Sequence, residues 1–177
     1  MRLTAVVLIA VICCVFALAA GSHAAILESR YATIIYDNDE LLREFNKSLR
    51  LKGLSYLIKN KTNLTVADEV RNKVDIIAER VQLVLGMYVK TLKFKVVLLS
   101  SAREVRRVYR AKYGRDVDFI SYFSPVEKAV YISVDDVQLR IFGHEVAHAI
   151  VDQYFGVSPS VQLHEMLAKF AETHLDE

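Results

Sequence analysis

The sequence of 177 residues has no tryptophan, two prolines, six glycines and two cysteines. So little glycine and proline excludes collagen-like and low-complexity chains, and a 53% hydrophobic content excludes intrinsic disorder. Charge of one sign is also missing. Lys+Arg 23 against Asp+Glu 21 leaves a net charge of +2, so no broad field draws the chain to nucleic acid, and no nucleic-acid partner is expected. The cysteines, Cys13 and Cys14, are neighbours inside one apolar stretch, which removes any disulfide framework. Stability has to come from a packed core.

That stretch, Leu3–Ala20, is apolar apart from Thr4; Arg2 precedes it and Gly21-Ser22-His23-Ala24 follows. A short positive start, an apolar run and small residues at a cleavage site read as a secretory signal over residues 1–24, cut after Ala24. A membrane anchor would carry a basic flank where these small residues stand. The expectation is a secreted or periplasmic protein with no stable membrane association after cleavage. Residues 25–177 form its single domain.

Along that domain, Arg30–Tyr36 is β-branched and aromatic and predicts a strand, followed by a helix over Glu40–Leu49. Asn46, Asn60 and Asn63 match the N-glycosylation tripeptide, read here only as a sign of exposure. Thr65-x-x-Asp68 forms a capping box, and Val70, Val74, Ile77, Val81, Val84 and Tyr88 recur at helical steps. Phe94–Leu99 suits a buried strand. In Ala102–Tyr113, apolar Val105, Val108 and Tyr109 oppose Arg103, Arg106, Arg107 and Arg110, a solvated basic face. Two strands, Val117–Phe123 and Ala129–Val134, meet at Ser124-Pro125; the second alternates as a half-buried or edge strand does. Strands first and a helical pair last give an α+β domain.

The chemistry lies in His144-Glu145-Val146-Ala147-His148, an H-E-x-x-H motif. Residues four apart on a helix lie about 40° around its axis, so both imidazoles leave one face at a spacing that suits a single zinc ion. Glu145 stands beside them, placed to exchange a proton with water activated by that ion rather than to ligate it. Random placement of this composition yields the motif in about one sequence in a hundred. Its uncharged flanks predict one buried helix over Val134–Phe155, stopped by Gly156.

A catalytic zinc needs a third protein ligand. Ser158-Pro159 reads as the start of a second helix running to about Leu175, and a connection of a few residues makes the two helices antiparallel neighbours. His148 and Glu165 then lie at matching depths, each about 10 Å from the turn, which makes Glu165 the third ligand. Asp152 is one turn too far along the helix to reach the same ion and is expected to support a histidine. Glu172 is expected to support a ligand or to be a surface charge. His164 and His174, rotated away from Glu165, are expected at the surface or in packing, with His164 the substitute ligand if the helix turns.

The block Phe142-Gly-His-Glu-Val-Ala-His-Ala-Ile150, followed by Glu165 in His164-Glu-Met-Leu-Ala-Lys-Phe-Ala-Glu172, resembles the gluzincin zinc metallopeptidases. The likeness is to their minimal and peptidase-MA-like members, over the chain from Phe94 onward. Glu165, Ala168 (displaced by one position) and Phe170 echo their Glu-Gly-x-Ala-x-aromatic segment, while Met166 replaces the small residue. The resemblance implies Zn2+ held by His144, His148 and Glu165, Glu145 as general base, and a peptide or protein substrate. It also implies a zincin-like mixed, mainly antiparallel sheet packed on the H-E-x-x-H helix, followed by a short C-terminal helix. A peptide would pair on Ala129–Val134 as the sheet edge. Family members supply a Tyr or His to the oxyanion, for which Tyr154, His174 and Tyr122 are the candidates. The same residues also suit a non-catalytic, zinc-stabilised envelope protein that holds a peptide.

Overall fold

A computed structural model describes residues 24–176. The leader expected over residues 1–24 lies outside them, Ala24 excepted. A five-stranded sheet organises these residues: β1 (Ala25–Glu28), β2 (Ala32–Tyr36), β3 (Phe94–Leu99), β4 (Ser121–Ser124) and β5 (Ala129–Ser133), in the order β1-β2-β3-β5-β4. The sequence reading misses β1, which forms a hairpin with β2.

The helices are α1 (Asp39–Ser48), a short α2 (Ser55–Lys59), α3 (Val66–Leu85), α4 (Ala102–Tyr113), α5 (Leu139–Phe155) and α6 (Val161–His174). The capping box at Thr65 and Asp68 forms as expected and starts α3. Gly86 ends that helix at φ 64°, a left-handed conformation that glycine adopts without strain. Tyr88 therefore lies past the helix and is exposed, while Val70, Val74, Ile77 and Val81 are buried.

The sheet is mixed but not mainly antiparallel. β1–β2 and β4–β5 pair antiparallel, whereas β2–β3 and β3–β5 pair parallel through helical crossovers. The expected edge also moves. β5 lies between β3 and β4, so among the described residues the edge on this side belongs to β4, with β1 at the other. Alternation along β5 reflects two covered faces rather than an edge: Val130 and Ile132 join the main core, while Ala129 and Tyr131 pack under α4.

One face of the sheet carries the main core, where Phe45 of α1 meets Phe142 of α5 edge to face at 5.9 Å between ring centres. The other face is covered by α4, whose Arg106, Arg107 and Arg110 pair with Asp118, Glu104 and Asp116 as a solvated surface. Asn46 is not the exposed position its tripeptide implies. Its Nδ2 donates to Glu69 at 2.8 Å, and its Oδ1 is buried.

Two boundaries near the motif shift. α5 starts at Leu139, because Val134 N–H donates to Leu99 O at 2.9 Å and Ser133 Oγ donates to Asp136 at 2.7 Å, holding residues 133–136 in a turn. α6 starts at Val161, capped by Ser160, whose hydroxyl accepts from Leu163 N–H at 3.3 Å. Both helices still pack against each other, and Gly143 permits it: a Cβ there would run into the Leu175 side chain.

Candidate metal centre

α5 presents the motif as its periodicity requires. His144 and His148 stand one turn apart with their Nε2 atoms facing at 3.2 Å. α6 returns alongside and delivers Glu165, whose Oε2 lies 3.5 Å from His144 Nε2 and whose Oε1 lies 3.5 Å from His148 Nε2. One ligand atom from each of the three residues falls within 4.8 Å of the others. Tetrahedral zinc with bonds of about 2.0–2.1 Å holds neighbouring ligands about 3.3–3.5 Å apart, so the donor set fits.

The outer ring nitrogens decide what the inner ones can offer. His144 Nδ1 lies 3.1 Å from Glu172 Oε2, so with the carboxylate ionised it is Nδ1 that carries the proton and Nε2 that is bare. His148 Nδ1 lies 3.3 Å from His164 Nδ1, and His164 Nε2 lies 3.0 Å from Ser158 Oγ. With His164 donating to Ser158, its Nδ1 accepts from His148, and His148 Nε2 is bare as well. In that tautomer assignment two nitrogen lone pairs and a carboxylate point at one spot, the donor set that a cation takes.

Glu172 thus supports His144, one of the two roles expected of it. Asp152 makes no hydrogen bond to either motif histidine among the described residues; its charge acts on His164 instead. His164 is the residue underrated by sequence. It is buried and supports His148, and the signal was available, since His164, Ala168, Ala171 and Leu175 make a regular apolar-facing stripe. His174 stacks on Phe170 at 4.2 Å, away from the cluster. Tyr154 is half exposed against Phe155 and does not line the cavity beside the site, whereas Tyr122 does.

Glu145 is buried and accepts a hydrogen bond from Ser121 Oγ of β4 at 2.7 Å. Burial pushes its carboxyl up to about 7, against the Ser121 bond; the nearby charge of Glu165 adds to the rise and the Phe123 backbone N–H opposes it. Burial pushes His148 down to about 3, helped by His144 and His164. Burial also lowers His164, partly offset by Asp152 and Glu165. These histidines are therefore held neutral, the form that binds metal.

No protein-family model, curated protein or solved structure matches this chain. What stands without them is a His144, His148 and Glu165 cluster with Glu145 adjacent, able to coordinate a metal ion in the manner of an H-E-x-x-H site.

Proposed function

We propose that the protein is an exported zinc-dependent metallopeptidase of gluzincin type, with His144, His148 and Glu165 as ligands and Glu145 as general base. The observation that carries this reading is the convergence of three donor side chains, His144, His148 and Glu165, from two antiparallel helices, with the raised carboxyl of Glu145 beside them. When bound, zinc supplies Lewis acidity, polarising a carbonyl and bringing the acidity of water into the neutral range.

The chain's own residues do the rest. Glu145 takes the proton from the attacking water as its oxygen bonds to the peptide carbonyl carbon. The same carboxyl then gives that proton to the amine nitrogen as the C–N bond breaks. Ser121 fixes the carboxylate through its 2.7 Å bond, and the free edge of β4 lies beside it to align an extended peptide. Glu172 and His164 hold the two imidazoles in orientation. Export rests on the leader read from residues 1–24.

The test is zinc content together with a chelator-sensitive cleavage assay on wild type and Glu145→Gln. One zinc per chain in both, with hydrolysis only in wild type, is the expected result. Stoichiometric zinc without cleavage of a broad peptide library would identify a zinc-stabilised peptide-binding protein instead, and no zinc at all would end both readings.

A further inference from the structure

Next to the metal cluster lies a cavity of about 630 Å³, within the range of small-molecule and side-chain pockets. Its wall away from the cluster is aromatic. Tyr109 is the hub, with Tyr113, Phe119 and Tyr122 at ring-centre distances of 4.6, 5.3 and 5.0 Å. Pro159, just before α6, and Val161, its first residue, also line the cavity. Aside from tyrosine phenols, the ionisable groups lining the cavity all belong to the metal centre and its support: His144, Glu145, His148, His164 and Glu165.

Two observations connect this wall to a bound chain. Among the described residues β4 pairs with β5 alone, and its Ser121 is tied to Glu145, so a strand added to the free edge runs past the candidate base. Side chains alternate across the pleat: Phe123 packs toward the main core, and Tyr122 faces α4. An added strand follows the same alternation and sends every second side chain toward the aromatic wall. That wall is unfinished. Tyr113 and Phe119 are each 42% exposed, and Val161, which also lines the cavity, is 78% exposed. Rings packed edge to face present faces and edges to which a further apolar group adds favourably.

We infer that this cavity is a subsite for a bulky apolar side chain, aromatic or long aliphatic, of a peptide laid along β4. The inference rests on the peptidase reading for the peptide's position and on the aromatic wall for its selectivity. No Lys or Arg lines the cavity, and its carboxylates, Glu145 and Glu165, belong to the metal centre, so neither an acidic nor a basic side chain finds a counter-charge on the aromatic wall itself.

The absence of tryptophan from the sequence gives a clean measurement. Zinc-loaded Glu145→Gln is titrated into a blocked alanine hexapeptide containing one tryptophan, and indole emission and anisotropy are followed. Saturable binding with a blue shift is expected, and hexapeptides with lysine or aspartate in place of tryptophan should compete at least tenfold more weakly. Phe119→Ser should weaken binding at least tenfold with zinc content unchanged. Val161→Ser, at a position too exposed to matter for folding, should weaken it severalfold. No binding, equal competition by the charged peptides, or unchanged binding in both variants would overturn the subsite. Wild type separates the two ideas. Cleavage without apolar preference removes the subsite and keeps the peptidase; selective binding without cleavage keeps the subsite and removes the peptidase.

Discussion

Replacing Glu145 by Gln should make the metal-free protein more stable, and more so as pH rises. The carboxyl is 7% exposed, and burial moves it from 4.5 to about 7. The sign follows from proton counting. Between pH 4.5 and about 7 the folded state keeps a proton that the unfolded state has released, so stability falls as pH rises through that window. Below the window the carboxyl is protonated in both states and carries no penalty. Above it the penalty levels off at about 3 kcal/mol, because each tenfold difference in proton affinity between the two states is worth about 1.4 kcal/mol. Glutamine keeps an oxygen to accept from Ser121 and never ionises.

His148 works in the opposite sense. Its folded value lies near 3 against 6.5 for the free side chain, so the unfolded chain takes up a proton first as pH falls from 6.5, and stability is lost on the acid side. In wild type these two effects oppose each other between about pH 4.5 and 6.5, so its profile should be flatter there than the variant's. In Glu145→Gln the opposing carboxyl effect is gone, and stability should climb more steeply with pH. Urea unfolding of both proteins in excess chelator at several pH values between 4 and 8 measures this directly. Parallel profiles, or a wild type that gains stability relative to the variant as pH rises, would show that the buried carboxyl is not destabilising and that its environment has been misjudged. Bound zinc should shrink the difference, because a cation beside the carboxylate favours its ionised form.

Further outcomes follow from the supporting residues. His164→Leu should weaken zinc binding about tenfold to a hundredfold, and His164→Asn, whose Oδ1 can stand where Nδ1 accepts from His148, should restore most of it; competition with a chromophoric chelator reads both. Phe142→Ala should lower stability by about 3–5 kcal/mol, since it removes a fully buried ring packed on Phe45; urea unfolding of the zinc-free protein checks it.

The helical part of the site was legible because it depends on local periodicity. His144 and His148 had to share a face, and a short connection had to bring Glu165 back to their level. The observed helices begin later than expected, yet the five residues between Phe155 and Val161 still act as a tight turn. The sheet was less legible, because strand order is fixed by which helices cover which faces. Tyr131 and Ser133 imitate the polar side of an edge strand, but Tyr131 stacks on Tyr122 at 4.8 Å and its hydroxyl accepts from Lys112 at 2.8 Å. That clasp covers β5 and leaves β4 at the edge. His164 was misjudged for a related reason. Its rotation from Glu165 was correct, but α6 buries the stripe beginning at His164, so the turn away from the ion points the ring at the far nitrogen of His148.

The same stripe determines how metal and fold are coupled. Ala168 and Ala171 of α6 and Leu175 just past its end are fully buried, Leu163 and Leu167 are half-buried, and Val161, Met166 and Phe170 stay exposed. A fully buried leucine contributes about 1.5–3 kcal/mol and each alanine much less, so apolar burial alone holds this helix weakly. Arg80 donating to Leu175 O at 3.0 Å and the Arg140–Asp176 pair at 3.1 Å pin only its end. The remaining attachment runs through Glu165, His164 and Glu172 to the histidines of α5. Zinc at a thousandfold excess over its dissociation constant adds about 4 kcal/mol to any state that binds it, comparable with what the buried apolar side chains of this segment contribute. Metal-free protein should therefore open α6 locally while the sheet and α3 stay closed. Amide hydrogen exchange with and without zinc, resolved by segment, is the measurement: residues 161–174 should slow by orders of magnitude on zinc addition, with β2 and β3 changing far less. Equal slowing across the sheet and α6 would mean that the helix is held by the core and not by the site.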